Sequence, residues 1–283
     1  MTPVYAVLAC VALASLVVTA LTTVFAMRAA GRNACPPFLR GPCRGRRAAC
    51  RLAGIASGFA SQCLMFLTYP LGLVAARFPR IKANPGEPVV VCLHGLYHNA
   101  AAFLVLRPVL ARHGLRRVLC LSSRCRGVVF EDVARDLADR LRRSVPADTP
   151  LLLVGHSLGG LLARRLAAEP DIARRVRAVV TLGAPHHGSA LAVLALGRLG
   201  RSLLPQSPLF PALDALPDPP RVALLSLASP MDNMVIPLAG LAIDRPAWIQ
   251  EATAPVSHVA MLYHPAILTR VATFLRIAAQ TER

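Results

Sequence analysis

Residues 151–160 constrain this chain more than any other stretch. Four apolar residues, Leu151, Leu152, Leu153 and Val154, run into Gly155-His156-Ser157-Leu158-Gly159-Gly160, and a helical pattern continues to residue 168. A short apolar run without alternation reads as a strand buried on both faces. Passing from such a strand directly into a helix needs a turn so sharp that the positions flanking Ser157 carry no side chain, hence Gly155 and Gly159. The turn leaves the Ser157 hydroxyl exposed. The first N–H groups of the new helix point at the same spot and favour negative charge there.

The same alternation of short apolar runs and longer amphipathic stretches extends from residue 88 onward. Residues 88–93, 117–121, 176–182 and 222–227 read as further strands. Residues 130–144 read as a helix, with Val133, Leu137 and Leu141 at four-residue steps and charges on the other faces, and so do residues 266–279. Non-alternating strands separated by helices predict an α/β fold with a mostly parallel sheet covered on both faces. Ligands in such sheets gather at the carboxyl ends of the strands, which is where the candidate residues fall.

From about residue 88 to the end, the chain resembles the α/β-hydrolase superfamily, and within it bacterial lipases and esterases. The resemblance rests on Gly155–Gly160, on Leu93-His94-Gly95-Leu96 after the first strand, on residues 182–189 (LGAPHHGS), and on a late Asp and His. A serine hydroxyl needs a base within reach and an acid to orient that base. In this fold the acid and then the histidine follow the serine along the chain. Asp214, Asp218, Asp232, Asp244 and Glu251 are the acids available, and only Asp232 directly follows a strand, where similar enzymes keep theirs.

His258 and His264 compete as base. His258 lies in the loop before the final helix, the family position, although Ser257 stands where relatives often have glycine. His264 precedes Pro265 at the helix start, which suits a cap. The Leu158 N–H supplies one donor of an oxyanion hole, and the resemblance implies Leu96 N–H as the other. A single His-Gly after the first strand fits the lipase-like branch. His94 reads as a brace for that loop, and His156 and His187 as local packing, whereas His98, His113 and His186 receive no role. Neither metal nor organic cofactor is expected: the eight cysteines form no C-x-x-C pair or Cys/His ladder.

Residues 189–220 fit neither strand nor sheet-covering helix. Residues 190–204 are apolar apart from a few polar positions such as Arg198 and Arg201, and the remainder is Pro-rich. A cap forming an acyl pocket is expected, since so much apolar surface on a plain loop would stay wet. An excursion packed on the sheet edge is the alternative.

The first 86 residues carry no part of the resemblance. Residues 4–27 hold no charge, enough for one helical crossing of a bilayer, and no basic leader precedes them, so residues 1–27 read as a retained anchor. Residues 28–51 form a linker with seven arginines, no acid, and Cys35, Cys43 and Cys50, which could be bridged, acylated or idle. Within residues 52–86, a second uncharged run covers 52–76. There Gly54 and Gly58, extended by Ser57 and Ser61, offer a small face for a neighbouring membrane helix. This segment either spans or lies on a surface. The basic linker favours the cytoplasm. A bacterial inner-membrane protein is expected, with its catalytic part (87–283) periplasmic if both segments cross and cytoplasmic if only the first does.

The net charge of +18 does not point to nucleic acid. The bases are scattered, aromatics make up only 5% and no binding motif accompanies them. The reading is a membrane-anchored serine hydrolase of lipid-like carboxylic esters. An acyltransferase on the same triad and a non-catalytic scaffold stay open, and the oligomeric state is not set by the sequence.

Overall fold

Six strands lie side by side in one sheet, all parallel: β1 (Val89–Leu93), β2 (Val118–Leu121), β3 (Leu151–His156), β4 (Val176–Leu182), β5 (Ala223–Ala228) and β6 (Trp248–Ala252), in the order β2-β1-β3-β4-β5-β6. This computed structural model describes residues 3–30, 35–41, 43–75, 86–125 and 127–280. The junction 76–85 between the second apolar segment and the sheet is outside the described residues, as are Arg32, Arg77, Arg80 and Lys82.

The helices are α1 (Pro3–Ala30), α2 (Arg47–Ala75), α3 (Leu106–Arg112), α4 (Phe130–Ser144), α5 (Leu158–Ala167), α6 (Pro170–Ala173), α7 (Gly197–Arg201), α8 (Leu209–Asp214) and α9 (Pro265–Gln280). Strands β1 and β3 are buried throughout because α4 and α5 cover one face of the sheet while α3 and α9 cover the other. Val133, Leu137 and Leu141 of α4 are inside. Glu131 and Asp132 in its first turn and Arg142 and Arg143 in its last complement the helix dipole.

Strand β6 has no counterpart among the runs read from sequence. It is an edge strand in which Trp248 is buried, Ile249 is exposed and Glu251 pairs with Arg270 of α9 at 2.6 Å. An edge strand facing water carries polar residues and so shows no apolar run.

From β1 the chain moves outward to β2, then returns to place β3 on the other side of β1. That reversal opens a crevice at the carboxyl ends of β1 and β3. The loop beginning at His94 and the turn at Ser157 meet there.

Both N-terminal helices are long and apolar enough to cross a membrane, and both are attached to the sheet-bearing part. A side chain at Gly54 would press on Met231, and one at Gly72 would overlap the Asn99 amide. These contacts are 18 positions apart, about 27 Å along α2 at 1.5 Å per residue. The small face at Gly54, Ser57, Gly58 and Ser61 therefore does more than meet another helix. Gly58 touches Thr19 of α1, but the Ser257 N–H donates to Ser57 Oγ at 2.9 Å, and Ser61 Oγ lies 3.4 Å from Ser257 Oγ. The other faces of both helices expose Leu13 and Leu16 on α1 and Leu52, Phe59 and Leu67 on α2.

Candidate active site

Ser157 sits at φ 55° and ψ −124°, a conformation costing about 1–3 kcal/mol for a residue with a side chain. The turn closes so tightly that a Cβ on Gly155 would come within 2.2 Å of the Gly159 carbonyl oxygen. One on Gly159 would come within 2.0 Å of the Leu93 carbonyl oxygen. The Ser157 N–H donates to the Leu182 carbonyl at 2.8 Å and fastens the turn to β4.

Asp232 follows β5 and His258 follows β6, and both are buried. His258 Nδ1–H donates to Asp232 Oδ2 at 2.7 Å. The other oxygen, Oδ1, accepts the N–H groups of Met234 and Val235 at 2.9 Å each, so the carboxylate cannot turn. With Nδ1 donating, a neutral His258 ring keeps the Nε2 lone pair that a general base needs.

Two neighbours hold that ring in turn. The His258 N–H donates to Asn233 Oδ1 at 3.2 Å, and Asn233 Nδ2 donates to Thr22 Oγ1 on α1. His156 packs its ring 4.6 Å from that of His258 and donates from Nε2 to the His258 carbonyl at 3.1 Å. Burial keeps the His156 pKa well below its usual value, so the ring is neutral. His156 thus positions His258, a role beyond the local packing read from sequence.

Ser157 and His258 line one cavity without a direct hydrogen bond between them. Such contacts are commonly long before substrate is bound and tighten with it.

The β1 loop passes close to Ser157: a Cβ on Gly95 would lie 3.0 Å from Ser157 Cβ. Among the described contacts the Leu96 N–H meets no protein acceptor, and the Leu158 N–H opens α5, where a helix offers it none. His94 braces this loop, its Nδ1–H donating to the Gly95 carbonyl at 2.8 Å and its Nε2 accepting the Ser123 N–H at 2.9 Å.

Burial lowers the His94 pKa from 6.5 to about 4. A histidine with a lowered folded pKa contributes stability that is present above its unfolded pKa and is lost as pH falls toward the folded one. Between about pH 6.5 and 4 His94 alone is expected to cost about 3 kcal/mol. His98, His156 and His186, lowered by the same cause, act in the same direction. Urea unfolding should show a midpoint that drops steeply over this window, and a flat profile would contradict these burials.

The cavity measures about 460 Å³ and is mostly apolar. Segment 189–220 forms one side as a 3-10 turn (Ala190–Leu194) followed by α7 and α8, with Leu191, Leu194 and Leu203 at the cavity wall. Buried Arg164 of α5 ties this segment down through Asp214 of α8 at 2.9 Å. The opposite side belongs to Val18 and Leu21 of α1 and to Gln62, Met65 and Phe66 of α2. Sequence reasoning did not place the two helices at the site. Their signals were Gln62, an amide inside an uncharged run, and the small residues on the same helix.

A serine on a strained strand-to-helix turn at the sheet's switch point, with an aspartate and a histidine paired beyond the next strands, is the plan of an α/β-hydrolase. The Alpha/beta hydrolase family matches residues 90–281, and the chain belongs to that family. It is 31% identical over 120 residues to the mouse (Mus musculus) sn-1-specific diacylglycerol lipase ABHD11, and the match spans 38% of each chain's length. Its fold is shared with the lin2722 gene product of Listeria innocua (TM-score 0.51, 15% identity, 70% of this chain and 96% of that one). The mature lipase BlEst2 of Bacillus licheniformis is likewise similar (TM-score 0.50, 19% identity, 65% and 90%).

Proposed function

We propose that the protein is a membrane-associated serine hydrolase of lipid-like carboxylic esters. The observation that carries this reading is one apolar cavity bordered by Ser157, by the Asp232-held His258, and by both apolar helices. Ser157 Oγ attacks the ester carbonyl while its proton passes to His258 Nε2. The oxyanion accepts the Leu96 and Leu158 N–H groups, and collapse of the tetrahedral species expels the alcohol, protonated by His258. Water, deprotonated by His258, then attacks the acyl-enzyme and releases the acid.

Contacts along about 27 Å of α2 support a particular membrane arrangement. A helix held by the catalytic part at both ends of that length cannot cross a bilayer core of about 30 Å while that part stays outside. The helix pair therefore lies along the membrane surface, apolar faces toward lipid, with exposed Arg28, Arg40, Arg44, Arg46, Arg47 and Arg51 near anionic headgroups. Substrate enters from the lipid side.

A series of p-nitrophenyl esters on the full-length chain, with and without lipid vesicles, tests this reading. kcat/KM should rise roughly tenfold or more from acetyl to octanoyl as methylenes fill the cavity, and vesicles should raise it further. Rates that fall with chain length would contradict an acyl site.

A further inference from the structure

Most polar groups on the cavity wall are already engaged. Thr22 Oγ donates to Val18 and accepts from Asn233, the Tyr97 hydroxyl donates to Leu196, and Ser189 Oγ donates to Met234. His156 Nδ1 also has no hydrogen-bond partner, but it lies against the Gly95 backbone, 3.1 Å from where a Gly95 Cβ would be. Two more groups have no partner. Gln62 Oε1 is buried with no hydrogen-bond partner, on a residue only 3% exposed, and His98 Nε2 is in the same state on a residue 6% exposed.

A buried amide oxygen without a partner costs about 1–3 kcal/mol. His98 Nδ1 lies 2.8 Å from the Asn99 N–H and 3.0 Å from the Asn99 carbonyl, so Nε2 donates in one neutral tautomer and accepts in the other. Gln62 Oε1 accepts. His98 packs near the Tyr69 ring, 6.3 Å between centroids, and Tyr69 is seven positions, two turns, beyond Gln62 on α2. Gln62 and His98 both line the cavity, His98 beside a point two turns further along α2.

We propose that Gln62 and His98 form a polar subsite for the alcohol part of the substrate, and that this part carries a free hydroxyl. Gln62 Oε1 accepts from the hydroxyl, and His98 Nε2 hydrogen-bonds an oxygen of the same moiety, as donor or acceptor according to its tautomer. The subsite rests on the ester-hydrolase reading, which it narrows to esters of polyols that keep at least one hydroxyl unacylated. It also gives the N-terminal helix pair a share in substrate selection, because Gln62 belongs to α2.

The test uses binding and not turnover, so that it fails separately from the hydrolase reading. A non-hydrolysable 1-O-alkylglycerol ether and its di-O-methyl derivative are titrated calorimetrically into the full-length protein in detergent. The parent protein should bind the free-hydroxyl ether about fivefold or more tightly than the capped one, the worth of one hydrogen bond. Gln62→Leu should reduce that ratio to less than about twofold, and Gln62→Met, which preserves length and flexibility, should do the same. Comparable thermal midpoints establish that each variant is folded. Equal binding of both ethers by the parent, binding of neither, or a preference that survives both substitutions would overturn the subsite and leave these groups served by water alone. Turnover of a p-nitrophenyl ester in the same preparation reports on Ser157 independently.

Discussion

Ser157→Ala is expected to reduce kcat for a p-nitrophenyl ester by about 10⁶-fold while the protein stays folded. The magnitude follows from cooperation among the three side chains. Once the nucleophile is gone, His258 has no proton to take and the Leu96 and Leu158 N–H groups have no covalent tetrahedral species to hold, so one deletion removes nearly the whole effect. Folding should survive because alanine meets the same backbone strain at φ 55° as serine does, and the tight contacts belong to Gly155 and Gly159. Ester assay and thermal unfolding together check this. A variant retaining more than about one hundredth of parental activity would show that another group attacks the ester.

Asp232→Asn is expected to lower kcat by about 10⁴-fold with little change in stability. The amide can keep Oδ1 against the Met234 and Val235 N–H groups. It presents a second donor to His258 Nδ1, which then must accept, and the ring hydrogen moves to Nε2, where it blocks proton transfer from Ser157. Asp232→Ala separates this effect from folding. It leaves both N–H groups unpaired in a buried loop and should cost about 1–3 kcal/mol for each as well as activity. Asparagine activity within about tenfold of the parent would mean that Asp232 does not set the tautomer of His258.

Much of this arrangement was legible along the chain because it is local. The apolar run at Leu151–Val154 and the glycines around Ser157 announce a turn whose steric reason lies within ten residues. Asp232 could be chosen among five acids because it alone directly follows a strand that reads clearly. Strand β6 escaped because an edge strand with Gln250 and Glu251 does not look buried. The participation of α1 and α2 escaped for a different reason. Apolar helices are drawn out of water by a bilayer and by a protein surface alike, and composition does not tell the two apart. Ser57 reaching Ser257 across 200 residues, and Thr22 reaching Asn233 across 211, are tertiary facts with no local pattern. In hindsight, one amide and several small residues in the uncharged run 52–76 were the available sign.

The most direct test of the central claim is covalent: reaction of the full-length, detergent-solubilised protein with a fluorophosphonate, followed by peptide mass analysis. One adduct on Ser157 is expected, absent from Ser157→Ala and formed far more slowly in His258→Ala. No adduct on the folded parent protein, or an adduct on another residue that persists in Ser157→Ala, would contradict the assignment of Ser157 as an activated nucleophile.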